Sequence, residues 1–170
     1  QLLTLAREED LPAQIVPAAV RLDELARDVV AEYTPLAQTR GVDLGLARIE
    51  ALTVAGAAAG LRTLLSNLVD NAVRYTPAPG RVDIAAFRDG AQAVLEVSDS
   101  GPGIPPEERT RVFDRFYRRA GEISDGSGLG LAIVKQIVEH HGGSIALQDA
   151  GSAGGLKVAV RLPLAPPPAP

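Results

Sequence analysis

Hydrophobic positions along the chain switch between helical and alternating periods, and the switches mark out its elements. Leu2, Leu3, Leu5 and Ala6, followed by Arg7 to Asp10, read as the tail of an amphipathic helix with no cap before it, which implies a helix begun upstream. A proline-bounded stretch from Pro12 to Pro17 then leads to a helix starting near Asp23. Its carboxylate can cap the first turn, and Leu25, Val29 and Leu36 mark one face. Pro35 falls inside that pattern and should kink or split it, and Gly41 should end it. Val42, Leu44 and Leu46 alternate as a strand, with Leu52 to Ala55 as its expected short partner. From Ala57 to Tyr75 the spacing of Leu61, Leu64, Leu65, Leu68 and Ala72 is helical again.

The second half alternates more clearly. Arg81 to Arg88 and Ala91 to Ser98 form two period-two runs, and Asp89-Gly90 between them predicts an antiparallel hairpin whose turn residues both need positive φ. A loop with Gly101, Gly103, Pro105 and Pro106 follows, then a short helix through Glu107 to Phe113. After a polar, glycine-bearing segment from Arg118 to Gly128, a helix runs from about Leu129 to His140 and is stopped by Gly142-Gly143. Ile145 to Gln148 and Leu156 to Leu162 predict a last hairpin, and Leu164 to Pro170 lacks groups to pack and reads as a disordered tail. Strands that pair locally, with helices between hairpins, predict a two-layer α/β sandwich: a mixed, largely antiparallel sheet with helices on one face. The expected organisation is a helix end at 1–10, a linker at 11–22, one globular domain at 23–163 and the tail at 164–170.

Composition narrows the function. With 46% apolar but only 4% aromatic residues, the core must be aliphatic. The net charge of −4, with no Lys/Arg block, gives no electrostatic footprint for nucleic acid. The chain has no cysteine, and two adjacent histidines without other suitable ligands make a poor structural zinc site. The longest apolar stretches fall well short of the ~20 residues of a membrane span, and Gln1-Leu2-Leu3 does not open a signal peptide, so no membrane contact is expected of this part.

Three polar constellations interrupt this background. Asn67, Asn71 and Arg74 fall at i, i+4 and i+7 of one helix, with Tyr75 beside them, so two amides and a guanidinium share a face. Amide oxygens suit Mg²⁺ and a guanidinium suits phosphate oxygens, although the same face could simply be solvated. Asp99 to Gly103 follows a strand directly, where a carboxylate could accept from an exocyclic amine or could belong to a plain turn. Gly126-Ser127-Gly128-Leu129-Gly130-Leu131 opens a helix, so free N–H groups and a positive dipole end meet at a glycine-softened entrance. It is neither a P-loop nor a dinucleotide fingerprint. His140 and His141 read as helix-terminal structural groups rather than phospho-acceptors. Phe113 and Phe116 suit either packing or control of the following segment.

Taken in order, these motifs resemble the catalytic domain of sensor histidine kinases, in the superfamily that includes gyrase, the heat-shock chaperone and mismatch-repair ATPases. Asn67 to Pro77 is similar to the family's N-box, Asp99 to Gly103 to its first glycine box, Phe113 to Phe116 to its F-box, and Gly126 to Gly130 to its second glycine box. The resemblance implies a Bergerat-type fold that binds ATP and Mg²⁺. Asp99 would take the adenine amine, in a pocket shaped by Gly101 and Gly103, and Asn71 would ligate the metal. Asn67, Arg74 and Tyr75 would surround the phosphates or the metal, with Asn67 and Arg74 the candidates for the catalytic step. Gly126, Ser127, Gly128, Leu129 and Gly130 would complete the nucleotide site. Arg118 to Ser127 would form the ATP lid, with Arg118 or Arg119 contacting phosphate, although Glu122 and Asp125 make this lid short and acidic. Gly154 to Val158 departs from the family's terminal box and receives no ligand role.

Asn67 stands where hydrolytic members of the superfamily place a glutamate, and an amide is a poor base for activating water. That favours phosphoryl transfer to a protein over hydrolysis. The resemblance implies a histidine on a separate dimerisation domain as acceptor, onward transfer to a response regulator, and a homodimeric parent in the inner membrane with this part in the cytoplasm. Leu2 to Arg7 would be the end of the second dimerisation helix, so this chain would bind ATP without its acceptor. The rivals are a nucleotide-binding module without kinase activity and a hydrolytic ATPase.

Overall fold

The computed structural model describes residues 17–119, 128–152, 154–167 and 169, so the expectations at 1–10 and 11–16 lie outside the described residues. Its elements are β1 (Ala18–Arg21), α1 (Leu22–Thr39), β2 (Val42–Ile49), β3 (Thr53–Gly56), α2 (Ala58–Tyr75), β4 (Gly80–Asp89), β5 (Gln92–Asp99), α3 (Gly130–His140), β6 (Ser144–Asp149) and β7 (Leu156–Pro163). Five strands form one sheet in the order β2-β4-β5-β7-β6, parallel only between β2 and β4, and β1 and β3 make a separate two-stranded sheet. The result is the two-layer α/β architecture with a mixed, largely antiparallel sheet.

Alternation places the core. Val82, Ile84 and Ala86 of β4, Ala93, Leu95 and Val97 of β5, and Val158, Val160 and Leu162 of β7 are buried. Against them lie Leu61, Leu64, Leu65, Leu68 and Val69 of α2 and Ile133, Val134 and Ile137 of α3. The largest fully buried side chains are all Leu, Ile and Val, as the aromatic-poor composition requires. Each contributes roughly 1.5–3 kcal/mol by leaving water.

Several local expectations change. Thr53–Gly56 pairs with Ala18–Arg21 rather than with β2, so residues read as the end of a linker form a strand. The register Asp89↔Gln92 puts the hairpin turn at Gly90-Ala91, one residue later than expected. Only Gly90 has positive φ there (+61°), as in a II′ turn. Helix α1 runs unbroken through Pro35, because the carbonyl deprived of a donor belongs to exposed Ala31 and can take water instead. The single short helix after Pro105 is two 3-10 turns, Pro106–Glu108 and Arg111–Phe113. At the far end Leu164, expected in the tail, bridges to Val54, and the Ala165 N–H donates to Thr53 O at 2.9 Å.

Asp23 does not cap α1, whose cap position is Arg21. It lies within the first turn, 3% exposed, and accepts from Arg21 Nε (2.9 Å), Arg21 Nη2 (2.8 Å) and Arg27 Nη1 (3.0 Å). The Arg21 hydrogen bonds hold its carboxyl well below the usual range, against the opposing effect of burial. A carboxyl with a depressed folded value stabilises above its unfolded value and loses that contribution as pH falls through the folded one. Asp23→Ala is therefore expected to cost about 1–2 kcal/mol at neutral pH, with the deficit narrowing below about pH 4. Thermal melts across that range check it, and a deficit independent of pH would contradict it.

His141 has a structural place. The cap residue of α2, Ala57, offers no side chain, and its N–H donates instead to His141 Nε2 at 3.1 Å. The other ring nitrogen, Nδ1, lies 2.7 Å from Ile137 O, so the ring accepts at Nε2 and faces a carbonyl acceptor at Nδ1. A Cβ at Gly56 would sit 2.5 Å from the ring. The C-terminus of α3 is thus joined to the start of α2, the helix that carries the N-box.

Candidate functional site

Helix α2 buries Leu64, Leu65 and Leu68 inward, which leaves Asp70, Asn71, Arg74 and Tyr75 of its last turns at the edge of a cleft. The cleft is open to solvent and is lined by residues of α2, the end of β5, the loop after it, the start of α3 and β7. One part of its wall is apolar: Ala72, Val97, Ile104, Val112, Leu131, Leu156 and Val158. The polar groups are few, and they come from separate segments of the chain.

Asp99, the last residue of β5, faces the apolar part of this cleft. Its Oδ1 accepts from Gly101 N–H at 2.8 Å and from Leu156 N–H at 3.2 Å. Among the described residues Oδ2 accepts no hydrogen bond. Burial pushes the carboxyl up, and the two N–H donors pull against that shift. The glycines around it are there for close approach. A Cβ at Gly101 would lie 3.0 Å from both Asp99 Oδ1 and Tyr75 O, and one at Gly103 (φ +71°) would lie 3.0 Å from Gly155 O. Gly155 (φ +94°) is tighter still, since a Cβ there would overlap the Asp99 carbonyl oxygen. The segment read as carrying no ligand role therefore fixes the position of Asp99.

At the other end, Asn71 lines the cleft beside the start of α3. A Cβ at Gly130 would stand 3.2 Å from Asn67 Oδ1 and 3.5 Å from the Asn71 amide, so Gly130 makes room for both side chains. Asn67 itself lines a neighbouring hollow with Tyr33, Arg62, Thr63, Ser66 and Asp70, and its Nδ2 donates to Thr63 O at 2.9 Å. Arg74 Nε pairs with both oxygens of Asp70, at 2.9 and 2.8 Å. Leu129 is 1% exposed, so its side chain belongs to the core and only its backbone can meet a ligand. Leu129, at the cap position of α3, makes no side-chain cap hydrogen bond to the helix.

Gly128 (φ +72°) closes against the F-box: its carbonyl accepts from Phe116 N–H at 3.1 Å, and a Cβ there would lie 3.0 Å from the Phe116 backbone. Phe116 has φ +62° and is 62% exposed, so its ring does not pack in the core. Phe113 is half-buried, with Lys135 Nζ 5.8 Å from its ring centroid. Arg118 is exposed and outside the cleft lining, whereas Arg119 lines it. Gly126, Ser127, Glu122 and Asp125 lie outside the described residues.

Sequence reasoning did not single out Asp70 or Tyr117; it named Arg119 only as a candidate phosphate contact, and it gave the segment holding Gly155 no ligand role. Only Asp70 carried a usable signal, an acidic residue one turn before Arg74. The others meet the site through contacts distant along the chain.

The family described as histidine kinase-, DNA gyrase B-, and HSP90-like ATPase matches residues 56–166. The chain is 44% identical over 170 residues to the sensor protein kinase PmrB of Pseudomonas aeruginosa, covering 98% of this chain and 35% of that protein. It is 49% identical over 121 residues to the histidine-protein kinase/phosphatase MprB of Mycolicibacterium vanbaalenii, covering 68% of this chain and 25% of that protein. Among solved structures, a mycobacterial sensor histidine kinase MprB superposes with TM-score 0.80 at 33% identity, covering 88% of this chain and 99% of that one. Full-length ShkA in complex with AMPPNP superposes with TM-score 0.83 at 31% identity, covering 99% of this chain and 35% of that one. The chain thus spans about a third or less of the length of the curated relatives it matches.

Proposed function

This chain belongs to the histidine kinase-, DNA gyrase B-, and HSP90-like ATPase family, and from that premise we propose that it binds Mg-ATP and transfers the γ-phosphoryl group to a histidine on a separate dimerisation domain. The phosphoryl group then passes to an aspartate of a response regulator. The observation that carries this reading is one cleft that gathers the Asp99 carboxylate, the Asn71 amide and the Arg74 guanidinium with apolar side chains from separate segments of the chain. In the adenine end, Oδ2 of Asp99 is the acceptor for the exocyclic amine, while Oδ1 is held by two backbone donors. At the phosphate end, the entrance of α3 offers N–H groups and a positive dipole to an anion.

The residues fit a magnesium ion that arrives with its nucleotide. Among the described residues no cluster of three His, Cys, Asp or Glu could hold a metal by itself. Mg²⁺ commonly takes one or two protein oxygens and fills the rest of its shell with phosphates and water, and Asn71 supplies such an oxygen in the cleft. When bound, the ion neutralises charge on the phosphates. Arg74 and Tyr75 then serve the same end of the cleft, with Arg74 held through Nε by Asp70. Asn67 lines the neighbouring hollow and, as an amide, supplies no base for water, which favours transfer over hydrolysis.

Asn71→Ala is expected to lower ATP affinity about tenfold in Mg²⁺, about 1.4 kcal/mol, and to leave affinity in a chelator unchanged. Calorimetry with and without the metal measures this, and an equal loss in both conditions would remove Asn71 from the metal site. Neither histidine is placed as acceptor, since His141 is engaged with Ala57 and Ile137 and His140 sits in the last turn of α3. Among the described residues no helix is long and apolar enough to cross a membrane. We assign this domain to the cytoplasmic side of a homodimeric inner-membrane parent.

A further inference from the structure

Gly103 and Ile104 lie beyond the end of β5 in a loop without ladder partners, so their carbonyls need donors from elsewhere. Two arginines supply them. Arg109 Nε donates to Ile104 O at 2.9 Å, and its Nη2 reaches Asp149 Oδ1 at 2.6 Å. Arg119 Nη1 donates to Gly103 O at 3.0 Å, and its Nε reaches Glu108 Oε2 at 2.7 Å. Each guanidinium donates to a loop carbonyl and to a carboxylate at once. The Arg119 and Glu108 side chains are only 25% and 30% exposed, so the pair is partly withdrawn from water, and the Tyr117 hydroxyl lies 3.5 Å from the same Glu108 oxygen. Gly103, Ile104, Tyr117 and Arg119 all line the cleft.

We propose that Arg119 is a positioning residue for the base end of the cleft. With Glu108 holding its Nε, it fixes the Gly103 carbonyl, and so the loop leading from Asp99, instead of contacting phosphate. The family resemblance left Arg118 and Arg119 as equal candidates for phosphate. The carboxylate beside Arg119 largely balances its charge, and its fork geometry serves a carbonyl and a carboxylate at once. This inference rests on the adenine-nucleotide reading above.

Calorimetry of the 170-residue chain with AMP, ADP and ATP in excess Mg²⁺ tests it. Arg119→Ala is expected to weaken all three nucleotides by the same factor, about fivefold, the net size of one lost hydrogen bond that orders a loop. Arg119→Lys is expected to lose as much, because an ammonium keeps the charge but cannot span both partners. Glu108→Gln should weaken all three nucleotides about threefold, and the double variant should be no weaker than Arg119→Ala alone, as coupled residues require. Glu108→Gln keeps the side-chain shape and carries the test if Arg119→Ala does not fold. A loss that grows from AMP to ATP, or affinity retained in Arg119→Lys, would overturn the inference. Failure of the unaltered chain to bind any of the three would overturn the nucleotide reading, and this inference with it.

Discussion

Asp99→Asn is expected to lower affinity for adenine nucleotides about a hundredfold, about 2.7 kcal/mol, without unfolding the chain. An asparagine can keep its oxygen on the Gly101 and Leu156 N–H groups, where Oδ1 now sits. The amide nitrogen then takes the place of Oδ2, and a donor faces the donor of the base. The fold should tolerate this well. Burial raises the Asp99 carboxyl above its ordinary value. A carboxyl so raised contributes stability below its unfolded value and loses it as pH rises through the folded value. Burial of the Asp99 carboxyl is therefore a stability cost that grows as pH rises, and Asn should melt at the same temperature as the parent or higher. Calorimetry together with thermal melts measures both quantities. Unchanged affinity would remove Asp99 from the base pocket, and loss of affinity with a collapse in melting temperature would make its role structural.

Gly155→Ala should have the second largest effect. The backbone there is at φ +94°, where an L side chain is strained, and the added carbon would overlap the Asp99 carbonyl oxygen. The atom in the way belongs to the backbone, so it cannot swing aside. Either β5 and β7 separate at this end or the Asp99 loop moves, and the two alternatives share a cost of about 2–4 kcal/mol. The expected result is a lower melting temperature together with loss of nucleotide binding. Gly154→Ala, in contrast, meets open space although φ is +89°, and should show only the backbone strain, with binding kept. Equal effects at the two positions would contradict the contact with Asp99.

These two residues also show what could be read from the chain and what could not. Asp99 stood out because it ends an alternating run and precedes a Gly-Pro-Gly turn, a local pattern. Gly155 looked like hairpin punctuation, because the atom that excludes a side chain there lies 56 positions earlier, on another strand of the sheet. The same division holds for the fold. Helix α2 was legible to within a residue, since its Leu spacing is long and regular, and so was the pairing of β6 with β7. The partner of β3 was not, because Ala18–Arg21 is a four-residue strand with one buried side chain, directly after a proline-bounded stretch, and carries no alternation to read. The hairpin turn was misplaced by one residue because Asp-Gly fits two registers, and cross-strand packing chooses between them. At the site, the N-box and glycine boxes were legible as motifs, while the apolar walls at Ile104, Val112 and Leu156 and the Arg119–Glu108 pair assemble only in three dimensions.

The most direct test of the proposed function follows the phosphoryl group itself. The chain, γ-labelled ATP and Mg²⁺ are incubated with and without a histidine-bearing dimerisation hairpin supplied in trans, and acid-labile label on each protein is compared with free phosphate released. Label on the hairpin alone, abolished by Asp99→Asn, is the expected result; acid-labile label on the chain itself, or steady phosphate release with the hairpin unlabelled, would contradict it.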